Sequence, residues 1–580
     1  MSKIRCFRAG MSVLTVVVLC GMFTVAADKH KAKTQDQPQN SDPKFDLVAD
    51  KISARESLFV KNLRGYSPMV ETYIQNMRPD KDLGSVPISD KYFLGRVTLQ
   101  TEMQDVNFLP HSNAPQPSSL QKMFSSMKLT RTKADNSKPQ AGAYMSAGFA
   151  QMVVIDATTF DRQHYDFRYV RREFLGDVRT LVIDVQPKQP QKKSMFIGRI
   201  WVEDEQYTVV RFNGTYSPQP KVGEYMHFDS WRLNMSNDQW LPAYIYSAET
   251  DLTRGKDHWD FRAQTLMWGY DVVRTNKNSE FTDIVVDSSD KVKDQSNSKQ
   301  DVTTVAAKRA WERQAEDNVL DRLQRAALLA PEGEVDKVLN TVVQNIEVTN
   351  NLEIVPEIRC RVLLTQPMES FTIGHTIVVS RGLLDALPDE ASLGAVLAHE
   401  MGHIALSHGI NEKYAFSDSV IFPDETTISK IGVRRTPQEE KDADAKALQL
   451  LQNSPYKDQQ ASAGLFFAAM HAIAPQLPNL IKSQFGNPFQ TPETGMRMSS
   501  LASGAPPLET MDLKQIAALP LGGRVKLDAW SDQLSIRQPQ TVRLNSPREK
   551  MPFEVTPKFP YLTRWIQSAP AGQTGNGNGR

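Results

Sequence analysis

Between residues 92 and 247, apolar and polar positions alternate or gather in short β-branched and aromatic blocks. These are Tyr92 to Thr101, Ala150 to Ile155, Thr180 to Val185, Phe196 to Val202, Thr208 to Phe212 and Ala243 to Ser247. A period of two predicts an antiparallel sheet, with turns expected at Gly176-Asp177, Pro187 and Asn213-Gly214. A short helical stretch is expected before it, around Phe45 to Met77. Past residue 303 the period becomes helical. Val305 to Leu329 and Glu332 to Val348 read as amphipathic helices parted by Pro331, and Ile358 to Thr365 and Thr376 to Ser380 as strands. Pro388-Asp389 then opens a helix, with Asp389 placed to cap free amides. Leu393, Val396, Leu397, Met401 and Ile404 recur along it up to a stop at Gly409. Thr436-Pro437-Gln438-Glu439 is a capping box with Pro at the first helical position, so a second helix runs from here through Leu451. Gln459 to Leu477 reads as a further apolar helix.

These changes of texture divide the chain. Its 580 residues exceed one ordinary core and suggest two or three domains. Residues 45–280 form the β-rich unit, 281–302 a polar linker, 303–500 the mainly helical unit and 501–567 an extension of unassigned role. Residues 568–580, rich in Gly and Asn, read as a disordered tail. At the other end, Lys3, Arg5 and Arg8 precede an apolar run from Met11 to Ala27, so residues 1–27 read as an export signal. The alternatives are an uncleaved anchor, because the run nears spanning length, and lipid attachment at Cys20. Residues 28–44 read as a disordered spacer. Cleavage after Ala27 would leave Cys360 as the sole cysteine, with no internal disulfide. Lys and Arg number 68 against 67 Asp and Glu, which gives no basic footprint and argues against a nucleic-acid partner.

The candidate chemistry is in His399-Glu400-Met401-Gly402-His403. On a helix the two imidazoles stand one turn apart on one face and can share a metal, while Glu400 beside them can take a proton from an attacking water. A catalytic zinc needs a third protein ligand and an open position. Glu440 on the following helix is the candidate ligand. Asp444, one turn on, is placed to accept a hydrogen bond from the far nitrogen of a ligating histidine. The alternative is an exposed acidic first turn that satisfies the helix dipole, a role that suits Glu439.

The run Thr376 to Asp385, then Leu397-Ala398-His399-Glu400-Met401-Gly402-His403 with His408, then Glu440-x-x-Ala443-Asp444, resembles metallopeptidase family 48. This gluzincin group contains CAAX prenyl proteases, the bacterial heat-shock membrane protease and periplasmic quality-control proteases. The resemblance spans about residues 310 to 500. It implies His399, His403 and Glu440 as ligands of one Zn2+ per chain, Glu400 as general base and Asp444 as the carboxylate behind a ligand. It also implies an edge strand that aligns the substrate backbone, for which Phe371 to Ser380 is the candidate. Relatives often carry Asn-Ala-Phe there, and this chain has Glu369-Ser370-Phe371. The family's Thr-His-Pro segment corresponds to Thr491-Pro492 without the histidine. The transition-state stabiliser is therefore open between Arg497, His471 and Tyr414. His375 is expected to be a loop residue, and Asn411 to Arg435 a connecting loop or a lid.

A second resemblance is carried by Phe174-Leu175-Gly176-Asp177, Val182 to Pro187, Gly198 to Val202 and Val210 to Gly214. These phrases are similar to the half-barrel of lipoprotein carriers and envelope-stress sensors, which implies a curved sheet able to hold an acyl chain or unfolded segment. A plain β domain packed on its neighbour is the alternative. The expected architecture is thus α+β and multidomain, an antiparallel half-barrel followed by a mainly helical zincin. The expected activity is that of an exported zinc metalloendopeptidase, periplasmic or extracellular, or tethered if uncleaved. Its expected partners are misfolded envelope polypeptides, with a lipid or lipoprotein ligand for the β unit and oligomeric state unassigned. The alternative is a zinc-containing binding or chaperone-like protein, which would have no need of Glu400. An exopeptidase would need a charged group to hold a chain terminus.

Overall fold

The computed structural model describes residues 43–80, 84–99, 103–107, 149–156, 158–188, 195–217, 227–236, 239–249, 260–272, 304–408, 433–491, 495–508, 525–527, 534–536 and 562–564. Helix α1 (Pro43–Leu63) leads into β1 (Tyr66–Asp80), β2 (Gly84–Leu99) and β3 (Met103–Asn107). A meander follows: β4 (Tyr165–Leu175), β5 (Val178–Pro187), β6 (Met195–Glu203), β7 (Val209–Ser217), β8 (His227–Ser236), β9 (Gln239–Glu249) and β10 (Asp260–Val272). Because β1 pairs with β10, all ten join one open sheet in the order β3-β2-β1-β10-β9-β8-β7-β6-β5-β4. Its neighbours are antiparallel throughout, as expected.

One face of the sheet is closed by α1. Arg232 of β8 donates to both carboxylate oxygens of Glu56 at 2.7 Å, and its guanidinium lies 3.6 Å from the Phe59 ring centroid. Both charges are buried, and the bidentate geometry offsets the cost of taking them out of water. Beside this pair, Phe196, Phe212 and Phe228 pack edge to face or tilted on the same side. Gly198 and Gly214 face one another across β6 and β7. A Cβ on Gly198 would come within 2.7 Å of both the Gly214 Cα and the Phe196 ring, so the aromatic cluster requires this glycine pair. Asn213-Gly214 therefore lies within a strand and is not the turn that its sequence suggests. Gly176 does turn, at φ +68°.

The helical reading of Phe45 to Met77 is correct only to Leu63. Gly65 follows the helix, and Tyr66–Asp80 is an inner strand of the sheet.

The second half begins with α2 (Thr304–Arg325) and α3 (Glu334–Thr349), then β11 (Arg359–Leu363), β12 (Ser370–Ile373) and β13 (Thr376–Ser380). Their order is β11-β13-β12, with β11 parallel and β12 antiparallel to the middle strand. The expected edge, Phe371 to Ser380, is thus two strands joined at Gly374 (φ +58°), and only β12 is at the border. After them come α4 (Arg381–Ala386), α5 (Glu390–Ala405), α6 (Pro437–Gln452), α7 (Gln460–Ile473) and α8 (Pro478–Ile481). The hairpin β14 (Gln490–Thr491) and β15 (Gly495–Met496), α9 (Ser499–Gly504), and the pair β16 (Val525–Leu527) and β17 (Leu534–Ile536) complete the described elements. Cys360 is a free, buried thiol.

Two buried carboxylates of the large sheet hold the second half. Glu71 on β1 accepts from Arg381 Nη2 at 2.6 Å, from Tyr92 Oη at 2.8 Å and from the Gln366 amide. Asp90 on β2 accepts from the amides of Asn479 and Leu480 at 3.0 and 2.8 Å. Each anchors a segment next to the small sheet, so strands β1 and β2 fix the framework around α5. Among the described residues no helix is long and apolar enough to cross a membrane. The export signal, nearly all of the spacer, the linker, Tyr414, most of the Asn411 to Arg435 segment and the terminal tail lie outside the described residues.

Candidate metal centre

Helix α5 starts where its sequence says it should, with Asp389 accepting from the Ser392 amide at 2.8 Å. It is buried on almost every side, packed by α3, α6, α7 and β12. Such a position makes an unsatisfied polar side chain costly. Helix α6 opens with the expected box: the Thr436 amide donates to Glu439 Oε2 at 2.7 Å, and Thr436 Oγ1 accepts from the Glu439 amide at 3.3 Å. The two helices touch at Gly402 and Ala443, where a Cβ on Gly402 would lie 2.7 Å from the Ala443 oxygen. This close approach brings Glu440 and Asp444 to the two histidines.

His399 Nε2 and His403 Nε2 are 3.1 Å apart. Glu440 completes a triangle, Oε2 at 3.4 Å from His399 Nε2 and Oε1 at 3.5 Å from His403 Nε2. These are the three donors that could share one metal ion among the described residues. Bonds of about 2.0–2.1 Å at tetrahedral angles separate donors by about 3.3 Å, so the triangle fits zinc. Behind it, His399 Nδ1 is 2.7 Å from Asp444 Oδ1, which fixes the tautomer that leaves Nε2 free to bind. The other Asp444 oxygen accepts from the Met498 amide at 2.9 Å. His403 Nδ1 is held in the same way by His408 Nδ1 at 2.8 Å. His408 thus has a supporting place behind a histidine of the triangle, which spacing along the helix did not reveal.

Glu400 turns aside from the triangle. Its Oε1 accepts from Ser370 Oγ at 2.7 Å and from Arg497 Nη1 at 3.1 Å, and Arg497 Nη1 also donates to Ser370 Oγ at 2.9 Å. Arg497 Nη2 reaches Glu440 Oε2 at 3.5 Å. Burial pushes the Glu440 carboxyl up, but the Arg497 charge and the bonds from His399 and His403 outweigh it and hold the group well below the usual carboxylate range. Burial likewise depresses His403, which favours the neutral ring that a metal needs. At His399, burial and Arg497 are outweighed by the bonds to Asp444 and Glu440, and its pKa is raised. A metal at this centre therefore competes with a proton.

All six candidate site residues, His399, Glu400, His403, Glu440, Asp444 and Arg497, meet in this one cluster. Of the three candidates for a transition-state stabiliser, Arg497 is the one seen against Glu400. His471 bonds Gln490 Oε1 at 3.0 Å instead. His375 pairs with Glu316 through both its amide and its ring, as a loop residue. Ser370 was not foreseen, since a lone serine in a strand carries no signal.

Residues 330–506 match the model of peptidase family M48. Over this segment the chain is similar to the M48 peptidases. The match indicates a metallopeptidase, and it covers less than a third of the chain. No curated protein matches the chain. Solved structures similar to it include a LolA superfamily protein from Nitrosomonas europaea, 11% identical over 39% of this chain and 94% of that one, TM-score 0.20. A putative outer membrane lipoprotein-sorting protein domain from Vibrio parahaemolyticus is 10% identical over 40% and 95%, TM-score 0.21. The Pseudomonas aeruginosa MucA/MucB complex gives 8% identity over 38% and 94%, TM-score 0.13.

The contact between α5 and α6 carries a prediction. Gly402→Ala is expected to push α6 away from α5 and lower zinc affinity, although residue 402 is no ligand. Zinc titration by competition with a chromogenic chelator would measure it, and unchanged affinity would refute the role given to this contact.

Proposed function

We propose that the chain is an exported zinc-dependent endopeptidase that hydrolyses unfolded polypeptides of the cell envelope. The observation that carries this reading is the convergence of His399, His403 and Glu440, with Glu400 held beside them and outside the donor triangle. A zinc ion bound there would supply Lewis acidity toward a carbonyl and acidify water. Glu400 takes the proton of the attacking water and returns it to the leaving nitrogen, and Ser370 and Arg497 keep its carboxylate oriented for both transfers. Arg497, cationic and next to Glu400, is our assignment for the group that steadies negative charge developing on the carbonyl oxygen. Asp444 and His408 orient the ligands. An extended chain laid along β12 presents internal bonds to this centre, which supports endopeptidase action. Export rests on Lys3, Arg5 and Arg8 before the apolar run. We assign to the large sheet the capture of lipoprotein or unfolded chain, on the strand phrases Val182 to Pro187, Gly198 to Val202 and Val210 to Gly214; its ties through Glu71 and Asp90 join it to the site's framework.

The test is zinc content and casein cleavage by the full exported chain, before and after chelation. One zinc per chain, loss of cleavage with the metal and its return on adding zinc are expected. Cleavage that persists without metal would refute the proposal.

A further inference from the structure

Strand β12 is the border of its sheet, yet Ser370 and Thr372 are 0% and 1% exposed. Their backbone direction follows from the ladder. The Ser380 amide donates to the Glu369 oxygen, so residues 369, 371 and 373 face β13 while Ser370 and Thr372 turn their amides and carbonyls outward. Those outward groups are what an extended peptide would pair with.

Both are covered. Arg435, just before α6, donates from Nη2 to the Thr372 carbonyl at 3.3 Å and to Thr372 Oγ1 at 2.8 Å. Asn487 clamps the backbone of the same arginine. Its Oδ1 accepts from the Arg435 amide at 2.8 Å, and its Nδ2 donates to the Arg435 carbonyl at 2.9 Å. The strap 483–489 crosses the strand here. At Gly486 a Cβ would stand 2.9 Å from the Phe371 Cβ and 3.1 Å from the Ser370 carbonyl, so the strap lies against the second outward acceptor. Glu369 pins the strap's start, accepting from Ser483 Oγ at 2.5 Å and from the amides of Gln484 and Phe485 at 3.0 and 2.9 Å. Its end is held by the Arg497 amide, which donates to the Phe489 carbonyl at 2.7 Å. The glutamate that departs from the Asn-Ala-Phe phrase is thus the strap's anchor.

We infer that this is a closed state in which Arg435 and the strap 483–489 gate the substrate edge, with the Asn487–Arg435 clamp as the catch. This rests on the peptidase reading. An extended polypeptide must displace Arg435 from Thr372 before it can pair. The cost is that of charge-assisted hydrogen bonds, and removing them is worth about tenfold in affinity.

The experiment uses the full-length, zinc-loaded Glu400→Gln chain, so that bound probe survives, and compares it with the same chain carrying Arg435→Ala or Asn487→Ala. Binding of fluorescein-labelled casein is read by anisotropy and the exchange of the Ser370 and Thr372 amides by hydrogen–deuterium mass spectrometry. Both variants are expected to bind casein about tenfold more tightly, and Asn487→Ala to speed exchange along residues 369–373. Arg434→Ala, which removes an exposed neighbouring charge, is expected to do neither. Equal binding by all forms with unchanged exchange overturns the gate alone, as does faster exchange without tighter binding. Tighter binding with unchanged exchange, or an equal effect of Arg434→Ala, also overturns it. Failure of every form to bind casein overturns the peptidase reading and the gate with it.

Discussion

Glu400→Gln is expected to abolish cleavage, by about a thousandfold or more, while one zinc stays bound. The glutamine keeps the shape of the side chain, and its oxygen can still accept from Ser370, which lies 2.7 Å from Glu400 Oε1. What it loses is the ability to take a proton from water. The three converging donors do not include Glu400, so metal content should be unaffected. Kinetics on casein with zinc measured by mass spectrometry, at equal folded concentration checked by circular dichroism, decide the point. A fall in kcat without a comparable rise in KM is the signature of an interaction used only in the transition state. A variant that cleaves at near the parental rate would remove Glu400 from the chemistry. One that loses its zinc would place Glu400 among the ligands instead.

What the sequence could and could not reveal about this site divides by the range of the interaction. Asp389, Thr436, Pro437 and Glu439 act within one turn of chain, so the starts of α5 and α6 were legible. Two histidines four residues apart on one face were legible for the same reason. Ser370 and Arg497 meet Glu400 from 30 and 97 residues away, and Arg435 meets Thr372 across 63. Only the packed fold brings such pairs together.

The misreading of β1 has a different cause. Met69, Val70, Tyr73, Ile74 and Met77 recur at spacings of three and four, like the apolar stripe of a helix. Yet Glu71, Thr72, Gln75 and Asn76 between them are buried as well, because both faces of this inner strand are covered. A strand buried on both sides has no polar face to reveal its period of two. The buried polar residues are used elsewhere, and Glu71 spends its carboxylate on Arg381 and Gln366. The position that defeated the periodicity is therefore the one that ties the sheet to the peptidase domain.

Glu440→Ala is expected to remove the metal itself. Two histidines then remain of the three ligands that a catalytic zinc requires, and Arg497 loses one of the two carboxylates that balance its buried charge. Asp444→Asn provides the graded comparison. It keeps a group within reach of His399 Nδ1 but removes the charge, and the fall in zinc affinity expected of a residue behind a ligand is about 10–100-fold. Glu440→Ala should exceed that range. Competition with a chelator of known affinity gives both numbers, and activity restored by excess zinc in Asp444→Asn but not in Glu440→Ala would separate support of a ligand from ligation. If the two variants lose affinity equally, Glu440 acts only through its bonds to the histidines, and the third ligand must be sought on another element. If neither loses any, the triangle of His399, His403 and Glu440 is not where the metal sits.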